Sequence, residues 1–281
     1  MIRFFPRDLL SFPYEKIREI TLRLSKLDPI PIFYFSLIPN VGDEIGPYLV
    51  NKLTGRPVVK SFMGLTNHLV SVGSIVSEAN YNSIIWGSGF KFPGSKVLSK
   101  PKFISSVRGP LTRTLLSKQG INCPSRFGDP ALVMPLFFQS ELIAQRGVIG
   151  VVLHYHHQDK KYLFEDSKFK IINVSTKNVE HFIDQLQECE YVISSSLHGL
   201  IISDAYSIPN VWIAFENNFN EQFKYQDYYL SLGLTDRAPL ILNNGIYYDP
   251  EFFYSHIRSS NIKTAFLEAI LDDFEQCRSY L

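Results

Sequence analysis

The segment 194–199 (SSSLHG) carries the residue types best suited to chemistry, and it lies between a strand pattern and a helix pattern. Three hydroxyls and the backbone amides of a helix start can surround a phosphate or a carboxylate. His198 can donate or accept a proton near neutral pH, and Gly199 allows close approach of the backbone. The alternative is an ordinary serine cap beside a core-facing histidine, and the spacing alone favours neither interpretation.

Four further segments place polar side chains where a strand pattern ends: 40–43 (NVGD), 86–89 (WGSG), 108–113 (RGPLTR) and 128–132 (GDPAL). Asp43 could cap the next helix, which is the default for an aspartate there, or could bind sugar hydroxyls together with Asn40. Arg108 directly precedes a helix start, where a guanidinium can bind an anion through two parallel hydrogen bonds. The Gly-x-Gly pattern around Ser88 is a weak signal, and Asp129 could cap a helix or bind a hydroxyl.

Three histidines occur at positions 154, 156 and 157, directly after an apolar run. His154 and His156 would share one face of a continuing strand, which is an arrangement that could bind a metal. Since no acidic or cysteine ligand with zinc spacing accompanies them, we predict no metal site. His154 stands at a strand end and is the better candidate to line an active site.

Short apolar runs alternate with helical patterns along most of the chain, which predicts βαβ units around parallel sheets. The nearly continuous apolar run 148–153 is typical of a strand buried on both faces. Local signals mark helix ends, because the helical pattern 44–53 stops at Gly55 and a second pattern starts at Pro110 and stops before Gly120. The polar segments would then lie at carboxyl ends of strands, where open α/β sheets bind ligands.

We predict an α/β chain with a helical leader over residues 1–28, Rossmann-like domains over 29–139 and 147–258, and a C-terminal helix over 259–281. Apolar residues fall on one face of the leader helix: Ile17, Ile20, Leu24 and Leu27. We expect this helix to pack on the body of the protein. A helix that lies on a membrane surface is the alternative.

Composition excludes several classes of protein. Hydrophobic residues make up 45% and charged residues 20%, which excludes a disordered, collagen-like or coiled-coil chain. Lys plus Arg number 28 against 27 Asp plus Glu, so we expect no nucleic-acid partner. The three cysteines form no CxxC pair, which favours a reducing, cytoplasmic compartment over a disulfide framework. The longest apolar stretch, 29–39, is shorter than the roughly 20 residues of a membrane span.

Seven segments in chain order resemble the polysaccharide pyruvyl transferases: NVGD, WGSG, VRGPLTR, FGDPAL, a strand that ends in His-Tyr, SSSLHGLI and FKYQDYY. The resemblance covers roughly residues 32–233. It implies two Rossmann-like domains that face each other across a cleft, as in the B-type glycosyltransferases. It also implies phosphoenolpyruvate as donor, a sugar or a lipid-linked oligosaccharide as acceptor, and a pyruvate ketal as product. No metal or cofactor besides this co-substrate is expected.

The resemblance further implies that His198 transfers a proton and that Asp43 orients or deprotonates the acceptor. Some family members have an arginine where Ser196 stands, and there the arginine binds the donor, so other groups must meet the donor's charge here. The expected donor ligands are Arg108, Arg113, Ser194, Ser195, Ser196, Leu197, Gly199 and Lys224. The expected acceptor ligands are Asn40, Ser88, Asp129 and His154.

Two other functions share these sequence features. A glycosyltransferase could use a nucleotide sugar on the same two-domain fold, since a fold does not fix a function. A non-catalytic sugar-binding protein is the other alternative, although polar side chains at several strand ends argue against it. The oligomeric state and peripheral contact with the inner face of a membrane are left open by the sequence.

Overall fold

The computed structural model describes residues 6–36, 38–61 and 64–281. Within these residues the strands are β1 (Ile30–Phe33), β2 (Val58–Lys60), β3 (His68–Val70), β4 (Ser83–Trp86), β5 (Phe103–Ser106), β6 (Gln145–Val152), β7 (Phe169–Ile171), β8 (Cys189–Ser194), β9 (Asn210–Ala214) and β10 (Leu240–Ile241). The α-helices are α1 (Pro6–Leu24), α2 (Val41–Thr54), α3 (Pro110–Lys118), α4 (Val179–Gln187), α5 (Leu197–Ala205), α6 (Phe219–Ser231) and α7 (Thr264–Arg278). Short 3₁₀ helices span Val76–Glu78, Pro130–Leu136, Tyr155–Leu163 and Pro250–His256.

The strands form two sheets in which all pairs are parallel, which confirms the α/β prediction. The first sheet has the order β2-β1-β3-β4-β5 and the second has the order β7-β6-β8-β9-β10. Numbered within each sheet, both orders are 2-1-3-4-5, which is a doubly wound, Rossmann-like arrangement. The order reverses between β1 and β3 and between β6 and β8, and ligands of such sheets bind beyond the carboxyl ends of the strands at this point.

One hydrophobic cluster runs through the first half (residues 30–139) and the second half (residues 145–258). It includes Ile32 and Val41 from the first half and Val174 and Leu200 from the second. Helix α5 packs on the 3₁₀ helix Pro130–Leu136, and α2 packs on α4. The two halves are therefore joined by apolar packing, and the domain limits drawn from the sequence stay predictions.

Helix α7 returns to the first sheet although it follows the second sheet in the chain. The Trp86 indole of β4 donates a hydrogen bond of 2.9 Å to the Ile270 carbonyl, and its ring centroid lies 4.8 Å from that of Phe274. Phe223 of α6 is likewise buried in a cluster of first-half residues. Helix α7 therefore packs on the first sheet, and α6 contacts both halves of the chain, through Phe223 and through Tyr225 on Trp212 of β9.

The leader helix α1 does not pack on the body as expected. Tyr14 is 69% exposed, Ile17 64% and Leu24 80%, and the helix contacts the edge strand β2. An amphipathic pattern shows that a helix has an apolar face, but it does not show which surface covers that face. No helix among the described residues is both long enough and apolar enough to cross a membrane.

Candidate active site

The serine turn lies where the strand order of the second sheet reverses. The Ser194 hydroxyl lies 3.1 Å from the Val152 carbonyl and accepts a hydrogen bond of 3.0 Å from the Ser196 amide. A Cβ on Gly199 would lie 2.4 Å from the Ser194 hydroxyl, so only glycine allows α5 to start this close to the strand. Ser194 and Gly199 are both buried, and together they build the turn.

Ser195 and Ser196 connect this turn to its neighbours. The Ser195 hydroxyl accepts a hydrogen bond of 3.0 Å from the His154 amide, and the Ser195 carbonyl accepts one of 2.8 Å from the Tyr225 hydroxyl. Ser196 precedes α5 without making a capping hydrogen bond from its side chain. The amides of the first turn of α5 therefore stay available for an anion.

His198 lies in this first turn and contacts the first half of the chain. A Cβ on Gly42 would lie 2.1 Å from the His198 Nδ1 atom, so the imidazole occupies space that only glycine leaves open. The His198 Nε2 atom is buried and has no hydrogen-bond partner among the described residues. Burial, with the positive charges of Lys224 and Arg108, lowers the pKa of His198 to about 3. The imidazole is therefore neutral at pH 7 before an anion binds.

Asp43 reaches the same place from the first sheet. The Asn40 side chain caps α2 by accepting a hydrogen bond of 2.9 Å from the Gly42 amide, and Asp43 follows in the first turn. The Val41 amide donates to the Val174 carbonyl at 2.9 Å, which fixes the start of α2 against the second half. Burial and the charge of Glu44 raise the pKa of Asp43 to about 7. This carboxyl is therefore partly protonated at neutral pH.

Lys224 of α6 couples these groups electrostatically. Its charge lowers the pKa of Asp43, of His154 and of His198. Burial, together with the charges of Lys91 and Arg108, lowers the pKa of Lys224 itself to about 7. We call Asp43, His154, His198 and Lys224 the titratable cluster. The structure thus brings together four of the residues predicted from sequence, from both halves of the chain.

Arg108 does not offer its guanidinium to this cluster as a ligand. It is fully buried and donates hydrogen bonds to Asp227 at 3.1 Å, to the Ser74 hydroxyl at 2.7 Å and to the Phe90 carbonyl at 2.7 Å. Asp227 of α6 also accepts hydrogen bonds from the amide and hydroxyl of Thr112. The expected forked contact with a donor is replaced here by a buried ion pair that ties α6 to the start of α3. The charge of Arg108 acts on His198 and Lys224 through space.

The other predicted ligands have structural partners. The Arg113 guanidinium donates to the Cys123 carbonyl at 3.0 Å, and Leu197 is buried in the core. The Ser88 hydroxyl donates to the Gly73 carbonyl at 2.9 Å and is fully buried. Asp129 caps the 3₁₀ helix that follows it and is also fully buried, and burial raises its pKa to about 6. The structure does not bring Ser88 or Asp129 to a surface that a sugar could reach.

His154 lines a cavity of about 450 Å³ that adjoins the titratable cluster. The His154 Nδ1 atom accepts a hydrogen bond of 3.3 Å from the His156 amide, so the neutral ring carries its proton on Nε2. Burial and the charge of Lys224 lower the pKa of His154 to about 2, which keeps the ring neutral. Among the described residues, no group of three His, Cys, Asp or Glu side chains is placed to hold a metal ion.

Sequence reasoning missed three residues that the geometry requires. Asp227 lies within the FKYQDYY segment, but only the structure shows that it neutralises Arg108. Gly42 lies between two predicted ligands, and its position was a usable signal because a glycine in a first helical turn has poor helix propensity. Phe92 lines the cavity from the first half, and no local pattern indicated it.

The geometry can be compared with known proteins. The family model described as polysaccharide pyruvyl transferase matches residues 40–217, which is more than half of the chain. The chain belongs to this family. The match includes Asp43, His154 and His198 of the titratable cluster, whereas Lys224 and Asp227 of α6 lie beyond it. This pyruvyl transferase family member therefore completes its cluster with a helix outside the matched segment.

Two curated proteins are similar to this pyruvyl transferase family member. An uncharacterized protein, L143, of Acanthamoeba polyphaga mimivirus is 29% identical over 221 residues, which cover 73% of this chain and 75% of that protein. The succinoglycan biosynthesis protein ExoV of Rhizobium meliloti is 26% identical over 222 residues, which cover 74% of this chain and 66% of that protein. No solved structure matches the chain.

Proposed function

We propose that this protein transfers the pyruvyl group of phosphoenolpyruvate to two hydroxyls of one sugar in a polysaccharide or its precursor, forming a ketal. The observation that carries the proposal is the titratable cluster, in which the unpartnered His198 Nε2 lies beside the start of α5 and within the field of Lys224. The cluster lies where both sheets reverse their strand order, which supports a cleft of the B-type glycosyltransferase kind. No cofactor is required for this chemistry.

The donor's negative charges suit this environment. Phosphoenolpyruvate carries a phosphate and a carboxylate, and the available amides of α5 together with the Lys224 ammonium can bind such groups. Besides burial, the positive charges of Lys91 and Arg108 lower the pKa of Lys224 more than the carboxylates of Glu221 and Asp43 raise it, so the ammonium is destabilised before the donor binds. An incoming anion relieves this repulsion, which favours donor binding over binding of a neutral molecule.

The two acid–base groups of the cluster have well-separated pKa values. Asp43 has a pKa of about 7 and His198 one of about 3. Without donor, Asp43 is therefore the group that holds its proton more tightly, and the donor's negative charge raises both values. We therefore assign the proton donor to the Asp43 carboxyl and the proton acceptor to the neutral His198 imidazole, which reverses the roles expected from the sequence.

The reaction is balanced with these two groups. The Asp43 proton adds to the methylene carbon of the donor, and the first sugar hydroxyl bonds to the adjacent carbon while His198 takes the hydroxyl proton. The bond from that carbon to the phosphate oxygen then breaks, and the second hydroxyl bonds to the same carbon and releases its proton. Of the two hydroxyl protons, one replaces the proton lost by Asp43 and the other leaves with phosphate.

Donor binding is expected to stabilise the folded protein. Phosphoenolpyruvate binds groups that are brought together only in the folded chain, so the donor should raise the melting temperature. At a donor concentration of about a hundred times Kd, the free energy of unfolding should increase by about 2.7 kcal/mol. The measurement is a thermal-shift titration with phosphoenolpyruvate, and a nucleotide sugar serves as the comparison. A shift with the nucleotide sugar and none with phosphoenolpyruvate would contradict the donor assignment.

Activity is expected to fall as the pH rises above about 7, for two separable reasons. Lys224 loses its proton in this range, which weakens donor binding and raises the KM for phosphoenolpyruvate. Asp43 also loses its proton as the pH rises, which lowers kcat. Because the bound donor raises the pKa of Asp43, the fall of kcat begins at a higher pH than the rise of KM. In Lys224→Arg the guanidinium stays protonated, so the rise of KM between about pH 7 and 9 should disappear while the fall of kcat remains.

The matched control for this pH experiment is Lys168→Arg. Lys168 is half exposed and pairs with Glu251 at 3.3 Å, and it does not line the cavity. Its substitution should leave both pH profiles unchanged. A KM that rises equally in the wild type and in Lys224→Arg would remove Lys224 from donor binding.

We place the reaction in the cytoplasm, with a sugar or lipid-linked oligosaccharide as acceptor. Cys123, Cys189 and Cys277 are all free thiols, which suits a reducing compartment. Burial raises the pKa of each thiol to about 12, so none of them is a nucleophile at neutral pH.

A further inference from the structure

We propose that the cavity beside the titratable cluster binds one neutral sugar ring of the acceptor glycan, held between Phe92 of the first half and Phe215 of the second. The proposal rests on the proposed function and names the place and the chemical class of its acceptor. Of the acceptor ligands expected from the sequence, His154 lines this cavity, whereas Ser88 and Asp129 are fully buried.

The position and size of the cavity suit an acceptor. Its volume of about 450 Å³ lies within the range of about 300–1,000 Å³ found for small-molecule sites, which leaves room beyond a three-carbon donor. His154 and Lys224 of the titratable cluster form part of its wall. A ring in this cavity therefore has its hydroxyls next to Lys224, which binds the donor in the proposed function.

Aromatic rings line the cavity from both halves of the chain. Phe92 is 42% exposed although it is a large apolar side chain, and the Lys91 ammonium lies 5.1 Å from its ring centroid. Phe215 packs edge-on against His157 at 4.9 Å, and Trp212 stacks on Tyr225 at 4.9 Å. The C–H face of a sugar ring is apolar while its rim carries hydroxyls, so an aromatic wall with polar neighbours is complementary to it.

Away from Lys224, the cavity lining carries more carboxylates than ammonium groups, which favours a neutral ligand over an anion. The whole lining has three lysines and three carboxylates: Lys91, Lys160, Lys224, Asp159, Glu216 and Glu221. Lys160 is already paired with Asp159 at 3.1 Å. A polyanion would meet the carboxylates at short range, whereas sugar hydroxyls can donate to carboxylates and accept from ammonium groups.

His154 adds a fixed donor to this wall. Since its Nδ1 atom is used by the His156 amide, its Nε2–H group is free to donate a hydrogen bond to a sugar oxygen. The low pKa of His154 means that this role does not change with pH near neutrality. The acceptor subsite therefore combines two aromatic walls, balanced charges and a histidine N–H donor next to the reaction site.

The test measures glycan binding without donor, by tryptophan fluorescence, because Trp212 lines the cavity. The probes are neutral oligosaccharides and methyl glycosides of glucose, galactose, mannose and N-acetylmannosamine, with a sugar diphosphate as the anionic comparison. We expect at least one neutral probe to bind the wild type, and Phe92→Ala and Phe215→Ala each to weaken it about tenfold. The control is Phe219→Ala, because Phe219 is 64% exposed and does not line the cavity. This variant should bind the neutral probe with the affinity of the wild type.

The outcomes separate this inference from the proposed function. The melting-temperature shift with phosphoenolpyruvate is measured on the same variants, and we expect it to be unchanged in all of them. Wild-type binding that survives both phenylalanine substitutions, binding of only the sugar diphosphate, or binding of no probe would overturn the subsite. Loss of the phosphoenolpyruvate shift with glycan binding intact would count against the donor and leave the subsite standing.

Discussion

Replacing His198 with asparagine is expected to lower turnover of the proposed reaction by about 10²- to 10⁴-fold, the range for loss of an acid–base group. The side chain sits in the first turn of α5 with a buried Nε2 atom that no described residue binds, so its loss removes few native interactions. The variant should therefore fold, and its melting-temperature shift with phosphoenolpyruvate should change much less than kcat. Steady-state kinetics measure kcat, and thermal-shift titrations in parallel measure the melting-temperature shift with phosphoenolpyruvate.

A second variant tests the position of the ring rather than its chemistry. In Gly42→Ala the new Cβ would lie 2.1 Å from the His198 Nδ1 atom, so the imidazole must move although it keeps its chemistry. We expect a loss of kcat that approaches that of His198→Asn. His181→Asn is the matched control, because His181 is an exposed residue of α4, and it should retain wild-type kinetics. Wild-type kcat in His198→Asn would make this histidine a packing residue.

Replacing Asp227 with alanine is expected to cost about 3–5 kcal/mol of unfolding free energy, because the buried Arg108 guanidinium loses its counter-charge. The same change leaves the Thr112 amide and hydroxyl without their acceptor. Since Asp227 and Lys224 share α6, we also expect the KM for phosphoenolpyruvate to rise. Urea unfolding monitored by circular dichroism measures the stability.

Two comparisons make the stability prediction specific. Glu275→Ala removes the partner of Arg278 in an exposed pair, and it should cost at most about 1 kcal/mol. The double variant Arg108→Met/Asp227→Leu replaces the whole buried pair with apolar groups, and it should be more stable than Asp227→Ala alone. Equal losses in Asp227→Ala and Glu275→Ala would show that the pair is not a structural anchor.

The sequence predicts those parts of the fold whose signals are local. Helix α2 ends at Gly55, which has a φ of 66°, and α3 starts at Pro110 with Gly120 just beyond its end at a φ of 73°. The alternation of strand and helix patterns correctly predicts parallel sheets. The exposed face of α1 was not predictable, because covering a helix depends on surfaces distant in sequence.

The candidate site likewise has features that the sequence predicts and features that it does not. The serine turn begins at the end of β8, and Asn40 and Asp43 lie at the start of the helix that follows β1, so their place at the sheet edge follows from the topology. Arg108 looked like an anion ligand because its neutralising partner Asp227 lies 119 residues further along the chain. The pKa order of Asp43 and His198 depends on burial and on charges from α6, which no sequence spacing contains.

The most direct test of the central claim is mass spectrometry of neutral oligosaccharides after incubation with the protein and phosphoenolpyruvate, with released phosphate measured in the same samples. The account predicts that one glycan gains the mass of pyruvate minus water, that phosphate is released in equal amount, and that His198→Asn abolishes both within the incubation time. If no glycan gains this mass while a nucleotide sugar supplied to the same samples loses its nucleotide, the protein is a glycosyltransferase and the account is contradicted.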